Sequence, residues 1–348
     1  MAKREPLPGL DYSASAEQMV RLVLRSQLKA MCKLRVKALN WKDHEGVHDM
    51  RVCSRRLRSA MSDFRPYLRG AALPRLKLRT IADALGAVRD EDVALVALDD
   101  LKAQAKGRAA EGIQFIADEH RKRRKDVREK LKAAIKPSVI DDFRKEFQTK
   151  LKTLKTVSAK KSTARPIDEP IPFRDIAHEI VHTRIKELRD ASHHLYFPFQ
   201  IKELHELRIL AKRLRYAVEL FAGCWERHSD EIAKEISMLQ TSLGELHDCD
   251  VWIDNLGKRL KQTAQKDKSD ETTFQLRAGA AWLVKYFVKE RTEHYREALT
   301  RWQEWQSNNF LEQLESILDS STGVSPVNHA PDARATIKLS HYQKFTSR

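Results

Sequence analysis

Residues 48–64 read HDMRVCSRRLRSAMSDF, and residues 205–221 read HELRILAKRLRYAVELF. The two stretches are one pattern written twice. His48 matches His205, Arg51 matches Arg208, Arg55 matches Lys212, and Arg56, Leu57 and Arg58 match Arg213, Leu214 and Arg215. The offset is 157 residues, and it also aligns Leu24, Leu28 and Met31 with Val181, Ile185 and Leu188. Downstream, LGAVRDEDV at 85–93 pairs with LGELHDCDV at 243–251, with an offset of 158. A loop absorbs one extra residue over that distance. Three blocks in one order at nearly one spacing mean that the chain has two similar halves.

A helical residue advances by about 100°. On that wheel Met50, Cys53, Leu57, Ala60, Met61 and Phe64 collect on one side, and His48, Arg51, Arg55 and Arg58 on another, with Arg56 apart. The second copy turns Leu207, Leu210, Leu214, Ala217, Val218 and Phe221 inward and sets His205, Arg208, Lys212 and Arg215 in the basic row. A bundle core accounts for the apolar stripe. It does not account for stacked cations, because like charges at helical spacing repel. A solvated face is the plain alternative for one such row. A row that occurs twice points to an anionic polymer as ligand.

Composition agrees. Lys and Arg number 65 against 49 Asp and Glu, a formal charge of +16, and self-repulsion of that size suits a polyanionic partner. Ala, Leu, Glu, Lys, Arg and Gln crowd a sequence with only 11 Gly and 11 Pro, which predicts an all-α fold. Helices are expected near 14–40, 46–69, 74–105 and 108–135, with a further one over 138–155. In the second half they are expected near 173–194, 200–227, 230–263 and 270–318, the last open to a break. No stretch alternates convincingly at period two, so no sheet is expected. The halves span 10–150 and 173–320, separated by a proline-bearing linker at 151–172 and followed by a tail at 321–348. At 348 residues each half is large enough to bury a core of its own.

Cys32, Cys53, Cys224 and Cys249 are scattered without a C-x-x-C pair, which argues against a zinc ribbon or a disulfide framework. No apolar run approaches the roughly 20 residues of a membrane span. No secretory signal is visible at the N-terminus. The expected compartment is the cytoplasm.

Two motifs suggest other chemistry. The LG-x-x-(R/H)-D-x-D-V block sets Arg89 or His247 beside Asp90 and Asp92, or Asp248 and Asp250. Paired carboxylates can hold a metal, but in a bundle they more commonly orient arginines, so Asp90 and Asp248 are read as supporting acids. Residues 178–182 read HEIVH, which matches H-E-x-x-H with Glu179 as a zinc enzyme's general base. The repeat opposes that reading, because His178 and His182 align with Arg21 and Arg25.

The doubled H-x-x-R-x-x-x-R/K-R-L-R helix, followed each time by LG-x-x-(R/H)-D-x-D-V, resembles the CHAD family, the conserved histidine α-helical domain, over residues 14–318. The resemblance implies two pseudo-symmetric four-helix bundles with basic residues and histidines lining a groove or pore. It implies binding of inorganic polyphosphate and, in bacteria, association with polyphosphate granules. The residues it nominates are His48, Arg51, Arg55, Arg56, Arg58 and Arg89 with His205, Arg208, Lys212, Arg213, Arg215 and His247. Many relatives carry a CYTH phosphohydrolase domain. The two copies fill this sequence, so hydrolysis is not expected, nor is a cofactor or a metal. The alternatives are a helical nucleic-acid-binding protein and, further off, a zinc hydrolase through HEIVH.

Overall fold

The computed structural model describes residues 9–70, 72–156, 171–224, 229–264 and 270–321. Most of the expected linker and nearly all of the expected tail lie outside the described residues. Among the described residues eleven helices form: α1 (Ala16–Lys33), α2 (Arg35–Ala38), α3 (His44–Asp63), α4 (Arg75–Gln104), α5 (Arg108–Ala134) and α6 (Pro137–Lys152), then α7 (Phe173–Ala191), α8 (Ile201–Leu220), α9 (Ser229–Ala264), α10 (Glu271–Ser307) and α11 (Phe310–Ser321). The all-α reading holds.

Local chemistry sets the ends. Asp43 caps α3 by accepting from the Glu45 amide at 2.9 Å. Pro66 stops the helix from continuing, and Arg65–Tyr67 turn more tightly instead. Pro137 occupies the first position of α6, where a missing N–H costs nothing. Asp270 caps α10 through the amides of Thr272 and Thr273. Asn309, at φ 50°, breaks the last helix into α10 and α11.

Two expectations need correction. A small sheet exists: Leu68–Arg69 (β1) pairs antiparallel with Lys155–Thr156 (β2), Leu68 opposite Thr156. Two residues per strand leave no alternating pattern to read. Nor does each copy keep a core to itself. One buried cluster joins Leu24, Leu57, Phe64 and Leu85 to Phe173, Leu214, Phe221 and Leu243. Another joins Leu98, Ile113 and Ile116 to Leu256, Leu283 and Phe287.

The packing order explains this. Helix α3 packs on α4, α4 on α5, α5 on α10, α10 on α9, α9 on α8, and α8 back on α3. Six helices, three from each copy, close a ring. The joint between α5 and α10 is a backbone contact. A Cβ on Gly112 would fall inside the Gln275 carbonyl oxygen, and one on Gly279 would strike the backbone of Gly112. Each glycine stands twelve residues before an arginine, Arg124 or Arg291, so the two are equivalent positions. The ring closes where the copies meet like to like.

Candidate functional site

The basic rows lie on α3 and α8, and the motif that follows lies on α4 and α9. Along α4 the first buried cluster ends at Val88 and the second begins at Leu95, and along α9 the corresponding members are Leu246 and Cys249. Arg89 and Asp90 fall in the first gap, His247 and Asp248 in the second. The motif marks the level at which the apolar core is interrupted, and the four helices bring polar side chains to that level.

The two rows face each other. Arg55 of α3 sits over the ring of Tyr216 on α8, with 5.8 Å from guanidinium carbon to ring centroid, and Arg215 approaches the same ring at 5.1 Å. Burial pushes the Lys212 ammonium down to about 7, assisted by the positive charges of Arg55, Arg208, Arg58 and Arg51. Three of those four belong to the other copy. Arg55 is likewise lowered, by burial first and then by Arg51, Arg215 and Arg58, against the favourable effect of Tyr216. Burial also lowers Arg208; Asp248 opposes the shift and Arg55 adds to it. Ammonium and guanidinium groups thus crowd one space at a cost in desolvation and repulsion.

Few acids relieve it. The Arg51 guanidinium is 3.6 Å from Asp90. Among the described residues Arg55, Arg58, Arg89, Arg208 and Lys212 have no carboxylate within ion-pair distance. The histidines divide. His205 Nδ1 meets His247 Nδ1 at 3.1 Å, with ring centroids 4.0 Å apart. Burial, then His205, Arg208 and Lys212, press His247 down to about 4. In the first copy His48 and Arg89 hold the equivalent positions, and their side chains make no hydrogen bond among the described residues.

Not every nominated residue joins the cluster. Arg56 points to Glu219 at 3.6 Å, and Arg213 exerts its field on the buried Asp63. Arg215 is buried, 3.2 Å from the Ser237 hydroxyl and 3.6 Å from Glu219. Its counterpart Arg58 is exposed. The paired acids also separate by role. Asp92 receives Arg124 at 2.5 Å and Asp250 receives Arg291 at 2.6 Å, so each ties its helix to the next. Asp90 and Asp248 instead lie in the field of Arg51 and Arg208.

The motif glycines stand beside the row arginines. Arg51 Nε lies 3.9 Å from where a Cβ on Gly86 would stand, and Arg208 Nε 3.8 Å from one on Gly244, so a methyl group there would make ordinary contact.

The HEIVH segment faces away from this cluster. His178 Nε2 meets Asp319 at 2.9 Å and His182 Nε2 meets Glu315 at 3.8 Å, both acids on α11. Glu179 accepts from the Tyr67 hydroxyl at 2.9 Å. In the first copy Arg21, aligned with His178, donates to the carbonyls of Lys152 and Leu154 at the end of α6. In both copies this position docks the last helix. Among the described residues no group of three or more His, Cys, Asp or Glu is placed to hold a metal.

The CHAD domain model matches residues 22–257 of the chain. Uncharacterized protein Rv2226 of Mycobacterium tuberculosis strain H37Rv is 26% identical over 275 residues, and protein MT2285 of strain CDC 1551 is 25% identical. The matched segment covers 77% of this chain and 49% of each of those proteins, so the chain spans about half the length of the curated relatives it matches. Among solved structures, the CHAD domain from the plant Ricinus communis superposes with a TM-score of 0.62 at 20% identity, covering 91% of this chain and 96% of that one. PptA from Streptomyces chartreusis superposes at 0.60 with 13% identity, covering 83% and 100%. Both share the fold.

Proposed function

The chain belongs to the CHAD family, and from that premise we propose that its converging cation rows bind inorganic polyphosphate. The observation that carries the reading is Lys212, held among arginines of both copies with no acid at ion-pair distance among the described residues. Such a cluster is costly without a ligand, and a linear chain of phosphates supplies about one negative charge per unit along both rows. Arginine forks and a lysine ammonium suit phosphate oxygens. Among the described residues the aromatic ring in contact with the row cations is Tyr216, and it already lies against Arg55 and Arg215. Between the opposed rows the contacts on offer are therefore to phosphate.

The role is binding without turnover. Its place is the cytoplasm, at polyphosphate granules, and no helix among the described residues is long and apolar enough to cross a membrane. The test is titration of long polyphosphate and of DNA at matched charge across a salt series. Polyphosphate is expected to bind more tightly, with log affinity falling steeply against log salt as counterions are released. An affinity that stays flat with salt, or double-stranded DNA binding as tightly, overturns the proposal.

A further inference from the structure

The loop between α7 and α8 shows its apolar side chains to solvent. Phe199 is 87% exposed, Phe197 50%, Tyr196 47% and Ile201 48%. The fold does not demand them: at the equivalent positions 157 residues earlier, Phe197 is Asn40 and Phe199 is Lys42, both exposed. Nor is the loop loose. Arg291 donates to the Pro198 carbonyl and the Tyr295 hydroxyl to the Leu195 carbonyl, each at 2.6 Å, and His194 meets Gln200 at 2.7 Å. Arg291 is itself held by Asp250 at 2.6 Å, so the loop is braced from the motif beside the cluster.

The loop leads straight into the helix of the second row, Phe199 standing two residues before Ile201, the first residue of α8. On α8, Ile201 falls within about 40° of His205, Arg208 and Lys212 on the helical wheel. It stands about 6 Å before His205 along the axis. A row of cations that continues through Ile201 into a loop of exposed rings suits a ligand with phosphates and flat apolar groups in alternation. We propose that this edge takes single-stranded nucleic acid, with phosphates on His205 and Arg208 and bases stacked on Phe197 and Phe199. Base stacking on aromatic side chains tolerates any sequence, and cationic tracks follow the backbone. A bilayer surface fits less well, because a flat sheet of headgroups does not reach the half-buried His205 and Arg208. The site shares His205 and Arg208 with the proposed polyphosphate site and adds the rings, which belong to neither row.

The experiment compares three fluorescent probes on the full chain: an oligothymidylate, an abasic strand of the same length, and polyphosphate. The oligothymidylate is expected to bind about tenfold more tightly than the abasic strand for each ring engaged. The double substitution Phe197→Ala, Phe199→Ala is expected to abolish that difference, leaving abasic-strand and polyphosphate affinity unchanged. Phe199→Trp should retain it. Equal binding of the two strands by the wild type, or a difference that survives the double substitution, overturns the proposal. So does a double variant whose only loss is binding to vesicles of anionic phospholipid, which would assign the loop to a membrane. Strand binding without polyphosphate binding sinks the preceding proposal and leaves this one standing.

Discussion

His205 and His247 meet nitrogen to nitrogen, Nδ1 to Nδ1 at 3.1 Å, across α8 and α9. One ring must donate and the other accept, so the contact holds only while at least one imidazole is neutral. Beside it stands Lys212, whose ammonium is pressed down to about 7. A polyanion raises that value again, so binding takes up a proton. Polyphosphate affinity is therefore expected to be greatest below about pH 7 and to decline as the pH rises from there. Stability of the free protein should run the other way. Lys212 has a folded value below its unfolded one, so between about 7 and 10.5 the unfolded chain holds more protons and stability rises with pH. Calorimetric titration in buffers of different ionisation enthalpy reads the uptake. Lys212→Arg should remove both trends, and a variant that keeps them excludes Lys212 as their source.

Opposed rows predict a dependence on polymer length. A long chain engages both copies, and the second contact gains from high effective concentration. Reversing Arg51 and Arg55 to glutamate should weaken long polyphosphate by orders of magnitude more than short fragments. Titration of both lengths into variants of each row decides this, with circular dichroism as control. Losses that simply add across the two rows would mean two independent sites.

One substitution should have opposite signs at two glycines. Gly86 lies within α4, and an added Cβ would touch Arg51 at an ordinary 3.9 Å. Gly86→Ala should stabilise the protein by about 0.5–1 kcal/mol through helix propensity and leave binding intact. Gly112→Ala drives its Cβ into the α10 backbone. It should cost about 1–3 kcal/mol or more, because backbone does not give way as a side chain does. Thermal melts of the two variants suffice.

The two acids of the second motif should also part company. Asp250→Ala leaves Arg291 largely buried without its carboxylate and should cost about 3–5 kcal/mol. Asp248 is exposed and merely near Arg208. Asp248→Ala should leave the melt unchanged and tighten polyphosphate binding modestly, since a negative charge leaves the site. Equal thermal losses in both would place Asp248 among the structural acids.

Much of this was legible beforehand for definite reasons. Leu57, Met61 and Phe64, with Leu214, Val218 and Phe221, are buried because a period of 3.6 residues is a local property of the chain. Helix positions followed from the same period, but breaks and ends did not: the expected helix near 14–40 is interrupted at Leu34, and the one near 200–227 stops at Leu220. The pairing of Arg55 with Tyr216 was not legible. It depends on which helices pack together, and two identical rows do not say whether they face each other or point apart. Arg215 belongs to the row by spacing and leaves it by burial, because Ser237, on another helix, closes over it. Phe197 and Phe199 fall between the helices expected near 173–194 and 200–227, where no helical period says which way a side chain faces.

Because each buried cluster draws on both copies, one copy alone would leave half of every core uncovered. Such a unit reaches this packing only by associating with a second of its kind about a two-fold axis, and Gly112 against Gly279 marks where that axis would pass. Duplication within one gene turns an association that depends on concentration into a single covalent molecule. It also releases the two copies from identity. A homodimer must change both faces of its site at once, whereas this chain holds Arg89 opposite His247 and Lys42 opposite Phe199. Asymmetry of that kind is open only to a fused pair.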